Sequence, residues 1–454
     1  MRPFSTLGLA LALAAVALTP GVAQPHSRVD DPTVLELPVP IAASSKGATR
    51  ILRARHTPKF GLVGVTWALG AQPSRVQIKY LRHHQWSQWR TLRAEDSSGP
   101  RLGTDPVWIG KATGITVRIS GKVRDARVVL VDPGKELSPS SRLATARVDG
   151  APAYTPLPDY VSRGAWGARA PTNCDQPRLA DHLEGVIFHH TAGSNRYARS
   201  TSARIVRGIQ AYHMSGRGWC DIGYNFLVDK YGQVFEGRAG GVLPQVRGAH
   251  AGNFDVNTYA TGISMMGNLD RVRPTDAMKA AAVRLIGWRL ATNYLGATGS
   301  YSVDGHSLPR IAGHRQVHMA GFNPSTATAC PGRYAYSWLP TLRSRVATYI
   351  SNYSTLIRSR AEEMGASVTG RVRVGEYPTS GGFKTVFGNG AMYSRSAAYW
   401  VSGAILAAYS TYGEESGALG FPISDETGTD TGSVQEFEHG TLTYDASTGL
   451  VTRS

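Results

Sequence analysis

Two polar, proline-rich stretches, at 24–45 and 134–158, cut this 454-residue chain into pieces that do not share one regular pattern. Stretches of this kind interrupt a core, so the chain reads as several domains, each with its own periodicity. Ahead of the first cut, Arg2 is the only charge in residues 1–23, Leu7 to Leu18 is an unbroken apolar run, and Gly21-Val22-Ala23 gives a small-x-small site. That is the pattern of a secretory signal, and about a dozen apolar residues are too few to span a bilayer. The expectation is a signal peptide at 1–23 and a secreted protein with no transmembrane anchor.

Residues 46–133 alternate with period two in short runs, Gly61 to Leu69, Val76 to Tyr80, Ile115 to Ile119 and Ala126 to Val131. Separated by Gly, Ser and Pro turns, these runs predict a β-sandwich-like accessory domain. Trp86, Trp89 and Trp108 fall in it. A row of Trp binds sugar faces in some proteins, but packing in a small core is the plainer expectation.

The block 159–350 mixes periods. Gly185 to His190 reads as a strand, Ser202 to Tyr212 as a helix, and Tyr224 to Val228 with Val234 to Glu236 as a hairpin pair. Gly262 to Met266 reads as a buried strand. Thr275 predicts an N-cap, followed by a helix that stops near Gly296. The expectation is a central α/β domain, a mixed β-sheet with flanking helices. A further helical run is predicted from near Trp338 to near Gly365, its last part, 351–365, serving as a helical linker. In 366–454 the spacing Phe387-x-x-Gly390-x-Met392 recurs as Phe437-x-x-Gly440-x-Leu442, which predicts a short repeat module.

Charge is uneven along the chain. The net charge is +17, yet residues 365–454 hold five basic and nine acidic side chains, so 24–364 carry +20. A basic surface implies anionic partners. Outside a cell these are wall polymers rather than nucleic acid, for which no motif is present.

Three cysteines in an exported chain leave one unpaired. Cys174 and Cys220 are the expected disulfide, and Cys330 then keeps a thiolate for chemistry, or is a buried free thiol. His189-His190 ends the strand Val186-Ile187-Phe188, and adjacent strand residues face opposite sides, so one of them faces any given site. One of the pair, with His314 and Cys330, gives two imidazoles and one thiolate, a set that suits zinc and leaves a fourth position for water. His190, His306 and His318 are competing ligands, and the spacing alone does not choose among them.

Five motifs carry a resemblance. They are Arg163-Gly164-Ala165-Trp166-Gly167-Ala168; Val186 to Gly193; Gly218 to Phe226 running on to Phe235-Glu236-Gly237-Arg238; Gly248-Ala249-His250-Ala251-Gly252 with Gly262-Ile263-Ser264 and Met266-Gly267-Asn268; and Gly313 to Val317 with Thr328-Ala329-Cys330-Pro331-Gly332. In this order, over about 159–345, the chain resembles the peptidoglycan recognition protein / N-acetylmuramoyl-L-alanine amidase type 2 family. The resemblance implies Zn2+ held by His189, His314 and Cys330, with Tyr224 and Thr328 at the positions of the family's catalytic residues. His213, Arg238 and His250 fall in or near its motifs and are candidate substrate-binding residues. One departure stands out. The last His and Cys are sixteen residues apart where the family has about eight, so Met319 to Thr326 reads as an inserted loop. Ala418-Leu419-Gly420-Phe421-Pro422 resembles the LGFP repeat of actinobacterial wall proteins, which implies docking to the wall. Together these readings lead to a secreted, wall-associated zinc amidase acting on peptidoglycan.

Overall fold

The computed structural model describes residues 31–40, 49–70, 72–94, 99–136, 142–143, 154–172, 174, 177–322 and 328–454. The expected signal peptide at 1–23 lies outside the described residues.

The N-terminal part is a sandwich of two five-stranded sheets. One holds Thr33–Pro38, Arg127–Asp132, Phe60–Trp67, Leu102–Gly103 and Val107–Ala112; the other holds Arg50–Ala54, Gly114–Ser120, Arg75–Arg82, Gln85–Trp86 and Arg90–Leu92. Thr33–Pro38 corrects the reading of 24–45 as linker: it pairs antiparallel along its whole length with Arg127–Asp132. Its proline flanks suit an edge strand, where an unpaired backbone edge is tolerated. Alternation explains the rest. Val63, Val65, Val128 and Leu130 point into the sandwich core. Leu62, Val129 and Val131 point outward and pack with Ile205, Val206, Ile209 and Tyr212 of the central domain. A strand buried on both faces reads as nearly continuous apolar sequence, as Phe60–Trp67 does.

This seam is tight. A Cβ on Gly64 would sit 2.2 Å from the Tyr212 ring. The Tyr212 hydroxyl reaches the carbonyl of Thr104 at 2.8 Å, and Arg217 Nε donates to the carbonyl of Arg101 at 2.8 Å. Trp108 packs across the same seam rather than inside the sandwich. Trp86 and Trp89 are half-buried, with Lys79 over both rings and Arg118 over Trp89. The sandwich core takes Trp67 instead.

The central sheet has seven strands in the order Arg142–Leu143, Tyr160–Val161, Val234–Glu236, Phe226–Val228, Ala260–Met265, Gly185–His190 and Ile311–Gly313. Gly185–His190 lies between two parallel neighbours and is buried throughout, as its apolar run predicts. Val186 and Phe188 face a core built with the helices Asp276–Ala291 and Arg333–Ile350. Ile187 faces the opposite side, and His189 follows it there. Thr275 caps its helix as predicted, accepting from the Met278 amide. The long helical run near 338–365 is two helices, Arg333–Ile350 and Leu356–Met364. Thr355 restarts the second by capping Arg358.

Leu356–Met364 does not merely link. Ile357 and Ala361 pack with Phe387, Met392 and Trp400 of the C-terminal module. That module has two four-stranded antiparallel sheets, Val372–Ser402 and Thr427–Arg453 in extent. The repeated spacing falls on equivalent hairpins. Phe387 and Phe437 end one strand, Gly390 and Gly440 open the next, and Met392 and Leu442 are fully buried.

Glu376 fastens this module to the central domain. It is buried and accepts from the hydroxyls of Tyr294 at 3.0 Å, Tyr353 at 2.9 Å and Thr355 at 2.6 Å. Burial pushes its carboxyl up despite these three donors. No described helix is long and apolar enough to cross a membrane.

Candidate active site

At the end of the central strand, His189, His314 and Cys330 come together. One ligand atom from each lies within 4.8 Å of the others. Cys330 Sγ is 3.6 Å from His189 Nδ1. Bond lengths of about 2.1 Å to nitrogen and 2.3 Å to sulfur at a tetrahedral angle give an N–S edge of about 3.6 Å, so the donor set and its spacing fit zinc. Among the described residues this is the one group of three or more His, Cys, Asp or Glu side chains with such spacing. The competing histidines are placed elsewhere. His190 Nδ1 accepts from the Leu269 amide at 3.1 Å, and His306 lies on the Phe322 ring. His318 is outside the group.

The tautomer of His189 follows from its neighbours. The Ala260 carbonyl only accepts, so His250 Nε2, 3.3 Å away, is the protonated nitrogen. His250 Nδ1 then accepts from His189 Nε2 at 3.1 Å. That leaves the lone pair of His189 Nδ1 aimed at Cys330. Gly262 makes room for this relay, since a Cβ there would lie 2.2 Å from the His250 ring. Burial, with the other histidines, holds the His189 imidazole well below its usual range. Burial first, and then His314, lowers His250 to about 3. Both rings are therefore neutral, the form that binds a metal.

The loop bearing Cys330 is clamped. Arg315 donates its amide to the Cys330 carbonyl at 2.8 Å and its guanidinium to the Ala329 carbonyl at 2.9 Å. Thr328 Oγ1 accepts the Cys330 amide at 3.1 Å. The His190 amide points at Cys330 Sγ at 3.4 Å, which favours a thiolate. The sixteen-residue spacing is thus compatible with the cluster. Of the inserted segment, Met319 and Gly321 are exposed, Ala320 and Phe322 pack half-buried against a core cluster, and 323–326 are outside the described residues.

The cluster opens on a cleft of about 350 Å³ that also holds Tyr224, His250, Thr328 and His190. The Tyr224 ring is 5.5 Å from the His189 ring. His213 and Arg238 do not line it. His213 is buried, with Nδ1 held by the Gly223 amide and its ring on Trp219. Arg238 donates to the Ile222 carbonyl and to Cys220 Sγ. His250 lines the cleft, but both its nitrogens are used by His189 and Ala260. The expected disulfide is not formed. Cys174 and Cys220 are free thiols, but they lie in hydrogen-bonding contact with each other in a small cavity shared with Arg178, Arg238 and Arg247, and Arg238 also donates to the Cys220 sulfur. The sequence did not flag the far wall of the cleft, which is built from Arg75, Thr91, Arg93 and Asp105 of the sandwich.

Comparison with known proteins gives this geometry a family. Residues 180–333 match the N-acetylmuramoyl-L-alanine amidase family. Peptidoglycan recognition protein 1 of Bos indicus is 44% identical over 147 residues, 32% of this chain and 72% of its own length. The chain belongs to the peptidoglycan recognition protein and N-acetylmuramoyl-L-alanine amidase family. Peptidoglycan-recognition protein SC2 of Drosophila simulans is 35% identical over 181 residues, 40% of this chain and 84% of its own. The crystal structure of Drosophila peptidoglycan recognition protein SD, 30% identical, covers 40% of this chain and 94% of its own with a TM-score of 0.32. Outside the amidase segment, residues 20–149 match the Rv3811 N-terminal galactose-binding domain-like family, and 419–452 match the LGFP repeat.

Proposed function

We propose that this amidase-family protein is a secreted, zinc-dependent N-acetylmuramoyl-L-alanine amidase that hydrolyses the amide between the lactyl group of muramic acid and L-alanine in peptidoglycan. The observation that carries the reading is the grouping of buried His189 and His314 with half-buried Cys330 in the lining of a cleft shared with Tyr224 and Thr328. The signal-like sequence at 1–23 and the LGFP match support export and retention at the wall.

His189 Nδ1, an imidazole nitrogen of His314 and Cys330 Sγ would hold the zinc. When bound, zinc polarises the substrate carbonyl and makes water a nucleophile near neutral pH. The His250 relay keeps His189 in the ligating tautomer. Tyr224 lines the cleft, and in this reading its hydroxyl donates to the oxygen on which negative charge develops. Thr328 already accepts the Cys330 amide, so its hydroxyl proton is the one it offers the cleft. The clamp from Arg315 holds the Cys330 loop against thermal motion, and the sandwich wall limits water around the reacting amide.

The test is mass spectrometry of purified peptidoglycan incubated with the mature protein, with and without a zinc chelator. Chelator-sensitive release of stem peptides beginning with L-alanine is the expected result. Intact muropeptides with protein bound to the wall would instead identify a receptor, and cleavage at another bond would overturn the assigned chemistry.

A further inference from the structure

The family match of the amidase begins at residue 180, yet part of the cleft wall comes from residues 73–76, 91–94 and Asp105 of the sandwich. The wall is fixed in place. Arg93 pairs with Asp270 of the amidase, and Asp270 in turn accepts the Arg333 amide at 2.9 Å, at the start of the helix that follows Cys330. Arg90 donates to the Gly193 carbonyl at 3.1 Å. The seam at Gly64 and Tyr212 holds the same sandwich from behind.

The arginines of this rim differ in what they do. Arg93 is committed to Asp270, Arg90 to Gly193, and Arg101 to Asp125. Arg75 is committed to nothing among the described residues. It lines the cleft and is exposed there. Its backbone is pinned, because it opens the strand Arg75–Arg82 opposite Ser120, and the Ser74 amide donates to the Ser120 carbonyl at 2.9 Å. Asp105, the one acidic residue of the lining, is itself engaged by a neighbour. A rigidly based, uncompensated guanidinium facing a catalytic cleft is a carboxylate site in search of its anion.

We propose that Arg75 is a specificity-determining residue that binds the free carboxylate of the stem-peptide residue following L-alanine, so that the sandwich reads the substrate jointly with the amidase. The inference rests on the amidase reading for the identity of the ligand. It makes the accessory domain part of the substrate site rather than a spacer. A carboxamide at the same substrate position offers no charge to Arg75, so the site separates amidated from unamidated stems.

The experiment uses the full mature protein and two soluble muramyl peptides that differ only in carboxylate or carboxamide at that residue. Turnover is measured, and binding is measured separately by calorimetry on the chelator-treated protein. Arg75→Ala should raise KM and Kd for the carboxylate ligand about tenfold, the loss of one charge-assisted hydrogen bond, with kcat within about twofold. For the carboxamide ligand nothing should change, and Arg75→Lys should recover part of the loss. Equal effects on both ligands, or none on either, would overturn the inference. If the wild type turns over but Arg75→Ala behaves like it, this inference alone fails. If the wild type releases no stem peptide and Arg75→Ala still weakens carboxylate binding selectively, the amidase reading fails and the Arg75 site stands.

Discussion

The β-sandwich and the C-terminal repeats both bury surface against the amidase, but they meet it through different chemistry. The sandwich lays the apolar outer face of a sheet on the helix Ser202–Ala211 and lines the cleft with five polar residues. The repeats attach at the far ends of Asp276–Ala291 and Gly185–His190, through one buried carboxylate and its three hydroxyl donors and an ion pair between Arg371 and Glu184. None of their residues lines the cleft. One appendage therefore shares the lining of the site. The other stays clear of it.

The sharpest break between site and attachments is His189→Ala. It should abolish turnover, by at least about a thousandfold, and lower zinc content measured by atomic absorption, while wall binding persists. Tyr224→Phe should cost about a hundredfold in kcat with zinc content unchanged, the size of one lost oxyanion donor. The two seams can then be set against each other. Gly64→Ala forces the Tyr212 ring to move, and Glu376→Ala removes the acceptor shared by three hydroxyls, of which only that of Tyr294 keeps Thr385 as a hydroxyl partner. Each should cost about 2–3 kcal/mol in chemical denaturation. Only Gly64→Ala should also lower kcat/KM on soluble muropeptides, by several-fold. Equal kinetic effects from both would erase the distinction drawn here.

The smallest effect is a pH dependence. His182 beside it, and then Arg371, hold the Glu184 carboxyl down at about 2. A lowered carboxyl stabilises the fold at pH above its unfolded value near 4.5, and this contribution is lost as pH falls from there towards about 2. After solvent screening it amounts to about 1 kcal/mol. Glu184→Gln should flatten that part of the stability profile and leave the rest of the curve intact.

Much of the site was legible because it is local. The strand ending in His189, the capped helix after Thr275 and the Thr328-Ala329-Cys330 segment each declare themselves within a few residues. The repeat at Phe387 and Phe437 was legible for the same reason. The misses are contacts across long separations. Val34 to Leu37 read as linker because the strand is short and edged with proline, and its pairing with 128–131 is invisible from either side alone. His213 and Arg238 lie in motifs but are turned to the Gly223 amide and to Cys220 by packing that no spacing rule reports. Arg75 sits in no motif that sets it apart from the other arginines of the chain. Its meaning comes from a neighbour in space that lies more than a hundred residues away in sequence.

The two-faced burial of Phe60–Trp67 also has a consequence in time. During synthesis the sandwich is complete roughly 70 residues before Ile205 and Tyr212 are made, several seconds at about 5–20 residues per second. For that interval Leu62, Val129 and Val131 form a bare apolar stripe on a finished sheet, the kind of surface that invites wrong partners. The cleft itself comes later still, because Cys330, the last residue of its lining, is added more than a hundred residues after that stripe is covered. The N-terminal domain is thus the first part to fold and among the last to reach its final surroundings.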